Sequence, residues 1–328
     1  MKKITALLLA LFMLVAALAG CGKQNDTNQT DKLSIVTTIF PEYDWVREIL
    51  GEKADNAEIT MLLDNGVDLH SYQPTADDIV KISDCDLFIY VGGESDEWVE
   101  DALRNAANRN MKVINLLEVL GDSVKTEEIV EGMQEAEHEY EDAEEHEHEE
   151  EADEHVWLSL KNAKMLVRVI SKALQELDPN NKDIYAANAD AYVKKLSALD
   201  AEYQAAVDAA SNKTILFGDR FPFRYLVDDY GLRYYAAFVG CSAETEAGFE
   251  TISFLAKRVD EWKLPCVLTI EGAQHKIAET VVRNTTAKNQ RVLTMDSMQS
   301  TTSKDVKNGT TYLSVMEKNL SVLKEALR

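Results

Sequence analysis

The chain has 328 residues, of which 45% are hydrophobic and 28% are charged, and its formal net charge is −24. Phosphate backbones and anionic lipid surfaces repel so acidic a chain, so we exclude nucleic acid and a charged membrane surface as partners. An N-terminal segment, described next, precedes the folded part of the chain. The remaining length suits two lobes of ordinary domain size better than a single domain.

The N-terminus has the pattern of an export signal. Lys2 and Lys3 precede an apolar run, Ile4–Leu18, which leads into Ala19-Gly20-Cys21. This run is shorter than the roughly 20 residues that a membrane span needs, so we predict a signal peptide over residues 1–20. We expect Cys21 to be lipidated, although an ordinary secretory signal could also contain a cysteine. The polar residues 21–32 then form a flexible tether.

Strands and helices alternate in the first half of the folded chain. The predicted strands are 33–38, 58–62, 87–91 and 112–115, and helices are predicted from Pro41, over 75–83 and over 97–107. Such alternation indicates parallel βαβ units. We therefore predict an N-terminal α/β lobe over residues 33–178.

An acidic loop over residues 122–154 interrupts this lobe. Residues 127–154 contain 16 Asp and Glu, no Lys or Arg, and three histidines: His138, His146 and His148. With almost nothing to bury, the segment should be disordered without a ligand. We favour a dynamic loop that collects metal ions over a plain acidic spacer.

Two helices are predicted in the middle of the chain, over 159–177 and from Asn181 to about Ala210, with Pro179 between them. In the second helix, large side chains recur at three- and four-residue steps, which is the period of one helical face. At 1.5 Å per residue this helix would be roughly 43 Å long. We predict that residues 179–210 link the two lobes as a stiff strut.

A second alternating run predicts a C-terminal α/β lobe over residues 211–328. Its predicted strands are 213–217, 234–238, 266–270 and 291–294, followed by a terminal helix over 304–327. The predicted fold class is therefore α/β, with two βα lobes of mainly parallel strands joined by a long rigid helix.

The remaining cysteines, Cys85, Cys241 and Cys266, form no CxxC pair, so a sulfur-based zinc site of the usual spacing is absent. We expect any metal to use imidazole and carboxylate ligands. Cys241 and Cys266 could form a disulfide in an exported protein, and buried free thiols are an equal alternative.

Four metal-capable side chains are predicted at the ends of strands, where open α/β sheets bind ligands. His70 follows the strand ending at Leu62, His275 follows the strand ending at Ile270, Asp296 follows the last strand, and His155 precedes a helix. Each histidine alone could be a surface or packing residue. Together, four such donors complete the tetrahedron that zinc prefers, which predicts one shared metal site.

Two loops resemble signature loops of zinc- and manganese-binding receptors of the ZnuA/TroA-like family. They are Gly66-Val67-Asp68-Leu69-His70-Ser71-Tyr72-Gln73-Pro74 and His155-Val156-Trp157-Leu158-Ser159. The resemblance runs from Leu33 to Arg328. It implies a metal held in the cleft between the two lobes, with ligands at His70, His155 and Asp296, and delivery of the metal to the permease of an ABC importer.

The chain departs from this family pattern at Arg220. The family implies a histidine or glutamate there, and arginine cannot bind a cation because it stays protonated and has only donors. His275 is our preferred replacement and Asp219 the alternative. We expect Glu271 either to orient a ligand imidazole or to pair with Arg220.

Three imidazoles and one carboxylate favour zinc, whereas a second carboxylate would favour manganese. We therefore expect a monomeric zinc receptor that a lipid anchors to the outer face of the cytoplasmic membrane. The alternatives are a manganese receptor of the same family and a metal-sequestering or adhesin lipoprotein. A zinc-dependent hydrolase is a more distant alternative, because the chain has no HExxH or GxSxG motif.

Overall fold

A computed structural model describes residues 32–134, 151–242, 246–272 and 275–328. The predicted signal peptide, the lipidation site Cys21 and the histidines His138, His146 and His148 lie outside these described residues. Residues Leu33–Arg328 form one compact unit. The lobe and linker boundaries given above stay predictions.

The N-terminal half is built on a parallel sheet covered by helices. The strands are β1 (Leu33–Thr37), β2 (Ala57–Met61), β3 (Leu87–Tyr90) and β4 (Lys112–Asn115), in the order β2-β1-β3-β4. The helices are α1 (Phe40–Leu50), α2 (Ala76–Asp84), α3 (Trp98–Arg104) and α4 (Leu116–Leu120). Strand β1 lies in the centre because Ile35 and Val36 are apolar and fully buried, as a strand covered on both faces requires.

Two long helices follow, α5 (Leu160–Leu177) and α6 (Lys182–Ala209). The predicted apolar stripe of α6 is buried, from Tyr185 to Val207. Near its start, Asn188 Nδ2 donates to Ile49 O in α1 at 3.0 Å. Near its end, Tyr203 OH donates to Met316 O at 2.7 Å. One continuous helix therefore contacts the N-terminal sheet region at one end and the last helix of the chain at the other.

The C-terminal half again pairs its strands in parallel. Its strands are β5 (Thr214–Leu216), β6 (Arg220–Phe221), β7 (Arg233–Tyr235), β8 (Phe238–Val239), β9 (Cys266–Thr269) and β10 (Arg291–Thr294). Strand β5 pairs with β7, β6 with β8, and β9 with β10, and a parallel bridge joins Phe217 to Leu268. The helices are α7 (Arg224–Tyr230), α8 (Phe249–Trp262), α9 (Lys276–Asn284), α10 (Ser303–Lys307) and α11 (Tyr312–Ala326). The prediction of a mixed α/β fold with parallel sheets and one long helix is confirmed.

The structure divides two of the predicted elements. The strand predicted over 234–238 is two short strands, β7 and β8, and the terminal helix predicted over 304–327 is two helices, α10 and α11. Gly309 adopts a φ of +97°, which a helix interior does not allow. Thr311 then caps the next helix, because its Oγ1 accepts from Ser314 N at 3.1 Å.

A shared core joins the two halves beside the predicted site. The rings of Trp45 and Tyr312 meet edge to face with centroids 5.2 Å apart. Trp157 Nε1 donates to Ser297 O at 2.8 Å, and Tyr312 OH donates to Trp157 O at 2.6 Å. The loop that carries His155 is thus bonded to the loop that carries Asp296. Among the helices that the structure describes, none has the length and apolar character needed to cross a membrane.

Candidate metal centre

His70 and His155 face each other although 85 residues separate them in the chain. Their Nε2 atoms lie 3.2 Å apart. His70 sits in a short 3-10 turn, Leu69–Ser71, which Asp68 begins by accepting from His70 N at 3.1 Å. Ser95 Oγ lies 2.8 Å from His70 Nδ1, and Glu154 Oε2 lies 3.4 Å from the same nitrogen. These contacts engage Nδ1 and leave Nε2 directed at His155.

Asp153 orients His155 in the same way. Its Oδ1 accepts from His155 N at 2.9 Å and lies 3.0 Å from His155 Nδ1. Burial lowers the pKa of the fully buried His155, but the charge and hydrogen bond of Asp153 outweigh this, and the pKa lies above its usual value. Both imidazoles therefore turn an Nε2 atom toward the same point.

Glu154 is held in place by the N-terminal half. Ser95 N donates to Glu154 Oε1 at 2.9 Å. Burial raises the pKa of Glu154, but the nearby His70 imidazole and the hydrogen bond from Ser95 outweigh it and bring the pKa below its usual range. The sequence analysis missed Asp153 and Glu154 because it counted them in the acidic loop. Their position directly before His155 was the available signal.

Cys241 is the third metal-capable residue at this place. In residues 32–134, 151–242, 246–272 and 275–328, the one group of three or more His, Cys, Asp or Glu with converging ligand atoms is His70, His155 and Cys241. Their ligand atoms all lie within 4.8 Å of one another. The sequence analysis missed Cys241 because it searched for paired cysteines. The usable signal was its position just after a strand, which is the criterion that selected His70.

The thiols within the described ranges, Cys85, Cys241 and Cys266, are free. Cys241 is half-buried, whereas Cys85 and Cys266 are buried. Burial and the nearby charge of Glu127 raise the pKa of the Cys241 thiol. A cation that binds this sulfur must therefore displace its proton.

His275 and Asp219 lie together on the C-terminal half. His275 Nδ1 lies 3.1 Å from Thr269 Oγ1, which donates to Asp219 Oδ2 at 2.5 Å. Asp219 Oδ1 accepts from Arg220 N at 2.9 Å. Within the described residues, neither His275 nor Asp219 joins the cluster around His70, so their assignment as ligands stays a prediction.

Arg220 and Glu271 do not pair with each other. The Arg220 guanidinium binds the Asp68 carboxylate, which belongs to the His70 loop. Glu271 instead accepts from Ser297 N at 2.6 Å, from Ser297 Oγ at 2.7 Å and from Gln299 N at 3.1 Å. The alternative that Glu271 pairs with Arg220 is therefore wrong, and its side chain instead fixes the loop that follows Asp296.

Asp296 is positioned by its own loop and by α11. Its backbone exchanges two hydrogen bonds of 2.8 Å with the Asn319 side chain, and its Oδ1 accepts from Met298 N at 2.8 Å. Burial, together with the charge of Glu271, raises the pKa of Asp296 to about 6. The carboxylate is not part of the three-residue cluster found in the described chain, and its role as a ligand stays a prediction.

The acidic loop begins and ends beside His155. Thr126 and Ala152 form an antiparallel bridge, Glu127 N donates to Glu151 O at 2.9 Å, and Asp153 N donates to Lys125 O at 2.8 Å. The described ends of the acidic loop therefore lie close together in the chain region that carries His155, and the metal-collecting role of the loop stays a prediction.

Comparison with known proteins identifies the family of the chain. The family model described as zinc-uptake complex component A, periplasmic (ZnuA), matches residues 35–326. The chain is 33% identical over 325 residues to the zinc-binding lipoprotein AdcA of Streptococcus pneumoniae serotype 4, which covers 99% of this chain and 61% of AdcA. It is 31% identical over 322 residues to the high-affinity zinc uptake system protein ZnuA of Bacillus subtilis, which covers 97% of this chain and 95% of that protein.

A solved structure supports the same assignment. The Zn(II)-bound ZnuA-like domain of Streptococcus pneumoniae AdcA superposes with a TM-score of 0.69 at 30% identity, over 90% of this chain and 99% of that domain. The chain thus spans about three fifths of the length of the pneumococcal AdcA it matches, and nearly all of its ZnuA-like domain. These matches confirm the resemblance carried by the two signature loops. The family model and the Bacillus relative both cover almost the whole chain, and the protein belongs to the ZnuA family of metal-binding components of uptake systems.

Proposed function

We propose that this protein is an extracytoplasmic lipoprotein that captures Zn²⁺ as cargo and delivers it to the permease of an ABC importer. One observation carries the proposal most directly: His70 Nε2 and His155 Nε2 lie 3.2 Å apart. Two nitrogens that bind one tetrahedral zinc, each at about 2.0–2.1 Å, are separated by about 3.3 Å. The pair therefore already has the spacing that a shared zinc ion requires.

The surroundings of the two imidazoles suit a metal better than a simple hydrogen bond. Asp153 lies against Nδ1 of His155, and Glu154 lies near Nδ1 of His70. A carboxylate on the outer nitrogen of a metal-binding histidine fixes its tautomer and makes the inner nitrogen a better donor. Both histidines have this support, which favours binding of a borderline cation such as zinc.

A role in metal capture fits the family better than a role in hydrolysis. The family model names a component of a zinc-uptake complex, and its members are solute-binding proteins. A catalytic zinc site keeps one position open for water. A receptor gains from a closed site, because each further ligand lowers the rate at which the cargo escapes before delivery.

The N-terminal sequence supports anchoring outside the cytoplasm. The predicted signal peptide and lipidated Cys21 would place the receptor on the outer face of the cytoplasmic membrane, attached by lipid alone. The pneumococcal relative is named a zinc-binding lipoprotein. If the protein acts as a monomer, as we propose, the predicted tether over residues 21–32 would let it reach a permease in the same membrane.

Isothermal titration with zinc at neutral pH tests the proposal. The full-length protein should bind one zinc ion tightly, and His70→Ala and His155→Ala should each abolish the tight site. His138→Ala, from the acidic loop, is the matched control and should keep it. If the tight site is missing from the wild type, or persists in both variants, the proposed function is wrong.

A further inference from the structure

We propose that Cys241 is a metal ligand, and that its thiolate binds the same zinc ion as His70 and His155. The inference rests on the proposed function and deepens it. It assigns to the C-terminal half a ligand that differs in chemistry from the imidazoles and carboxylates expected from the sequence.

The first support is convergence. Cys241 Sγ and the ligand nitrogens of His70 and His155 lie within 4.8 Å of one another. In a tetrahedral site with Zn–S near 2.3 Å and Zn–N near 2.0–2.1 Å, sulfur and nitrogen are separated by about 3.6 Å. The sulfur needs to move by only about 1 Å, which a side-chain rotation supplies.

The second support is the close approach of the backbone before Cys241. A Cβ atom on Gly240 would lie 2.9 Å from His155 Cε1 and 3.0 Å from Phe221 O. The first distance is too short for a Cβ atom and the second is tighter than most such contacts, so glycine lets this strand end pass directly against the imidazole. The next residue then presents its side chain beside the two histidines.

The loop is also held in this position from the N-terminal half. Cys241 N donates to Glu127 Oε1 at 3.0 Å, and Gln134 N donates to Ala237 O at 2.9 Å. The segment at the start of the acidic loop therefore bonds to the segment that carries the cysteine. The backbone that carries Cys241 is therefore held by contacts with the N-terminal half.

The other two described cysteines have no such placement. Cys85 Sγ contacts Ile82 O and Met111 Sδ in the core of the N-terminal half. Cys266 lies in β9 and is 4% exposed. Of the cysteines in the described ranges, Cys241 alone lies in the histidine cluster.

A thiolate ligand would change the metal selectivity of the site. When the metal binds, the S–H bond breaks, the sulfur–metal bond forms and the proton passes to solvent. Thiolate is a soft donor that suits zinc, whereas manganese favours oxygen ligands. The cargo would also join the halves, because His70 and His155 lie on the N-terminal side and Cys241 follows β8.

Cobalt provides the test, since Co²⁺ takes zinc sites and gives a sulfur-to-metal charge-transfer band in the near ultraviolet only when a thiolate binds it. The full-length protein, purified in detergent, should show this band with one equivalent of Co²⁺. Cys241→Ser should lose it, and the matched variant Cys266→Ser should keep it. Loss of an outer-shell partner alone costs about 10- to 100-fold in affinity, so Cys241→Ser should weaken zinc binding about 100-fold or more.

A second measurement needs no substitution. In the wild type, one equivalent of zinc should protect Cys241 from alkylation by iodoacetamide, as mapped by mass spectrometry. Equal alkylation with and without zinc, or tight Co²⁺ binding without the sulfur band, would overturn the assignment of Cys241 and leave zinc capture standing. A wild type that binds neither metal tightly would instead overturn the proposed function.

Discussion

Arg220 of the C-terminal half pairs with Asp68 of the N-terminal half, two residues before His70. Both side chains are about one-fifth exposed. Burial raises the pKa of Asp68, but the Arg220 charge outweighs it and, with smaller contributions from His70, brings the pKa below its usual value. This ion pair joins the two halves beside the histidine cluster.

Arg220→Gln should destabilise the protein. Removing one partner of a buried ion pair costs about 3–5 kcal/mol, and partial exposure here reduces that to about 1–3 kcal/mol. The free energy of unfolding in urea measures it. Arg283→Gln, which removes the exposed Arg283–Glu279 pair, is the control and should change stability by less than about 0.5 kcal/mol. Equal losses in the two variants would show that the Asp68–Arg220 pair does not join the halves.

Asp153→Ala should weaken zinc binding by about 10- to 100-fold, because it removes the carboxylate that orients His155. Titration calorimetry measures the dissociation constant. Asp190→Ala, on the exposed face of α6, is the control and should leave it unchanged. An unaltered dissociation constant in Asp153→Ala would mean that the imidazole is held by its packing alone.

Replacing the acidic loop should slow zinc capture without removing the tight zinc site. Replacing residues 135–150 with a Gly/Ser linker of equal length keeps Asp153, Glu154 and the bridge between Thr126 and Ala152. This variant should retain one tight zinc site and capture zinc more slowly from dilute solution, as stopped-flow competition with a fluorescent chelator measures. Removing residues 127–154 should also weaken the tight site, because both orienting carboxylates are lost. If the tight site had the same zinc affinity after the two changes, the proposed role of the orienting carboxylates Asp153 and Glu154 would be wrong.

The titration of Asp44 should lower the free energy of unfolding as pH rises. Burial raises its pKa from 3.8 to about 7, although its Oδ2 accepts from Tyr312 N at 2.8 Å. Since the folded state holds this proton more tightly than the unfolded state, stability falls between about pH 4 and pH 7, by about 4 kcal/mol at most.

Asp44→Asn removes that titration and can still accept from Tyr312 N. Its stability relative to the wild type should therefore increase between about pH 4 and pH 7, as urea unfolding at both pH values measures. A constant difference between the two proteins would show that Asp44 does not carry the pH dependence.

Local patterns predicted the fold well. The spacing of large residues in α6 predicted the helix and its buried face, because both depend only on the periodicity within that segment. The position after a strand selected His70 and the position before a helix selected His155, and the structure brings the two together. The terminal helix was predicted too long, because its break at Gly309 depends on one backbone conformation.

The rest of the site depends on contacts between distant segments. Asp68 and Arg220 are 152 residues apart, and no local pattern indicates that they pair. Cys241 follows two strands of two or three residues each, which sequence periodicity cannot separate. Its place beside His155 depends on the space left at Gly240. These are properties of the packed chain rather than of any single segment.

A crystal of the zinc-loaded protein, measured above and below the zinc absorption edge, tests the central claim most directly. We predict one anomalous peak about 2.0–2.2 Å from Nε2 of both His70 and His155. The same map would show whether Cys241, His275, Asp219 or Asp296 completes the site. A zinc peak elsewhere, with His70 and His155 still in contact and no ion between them, would contradict the account.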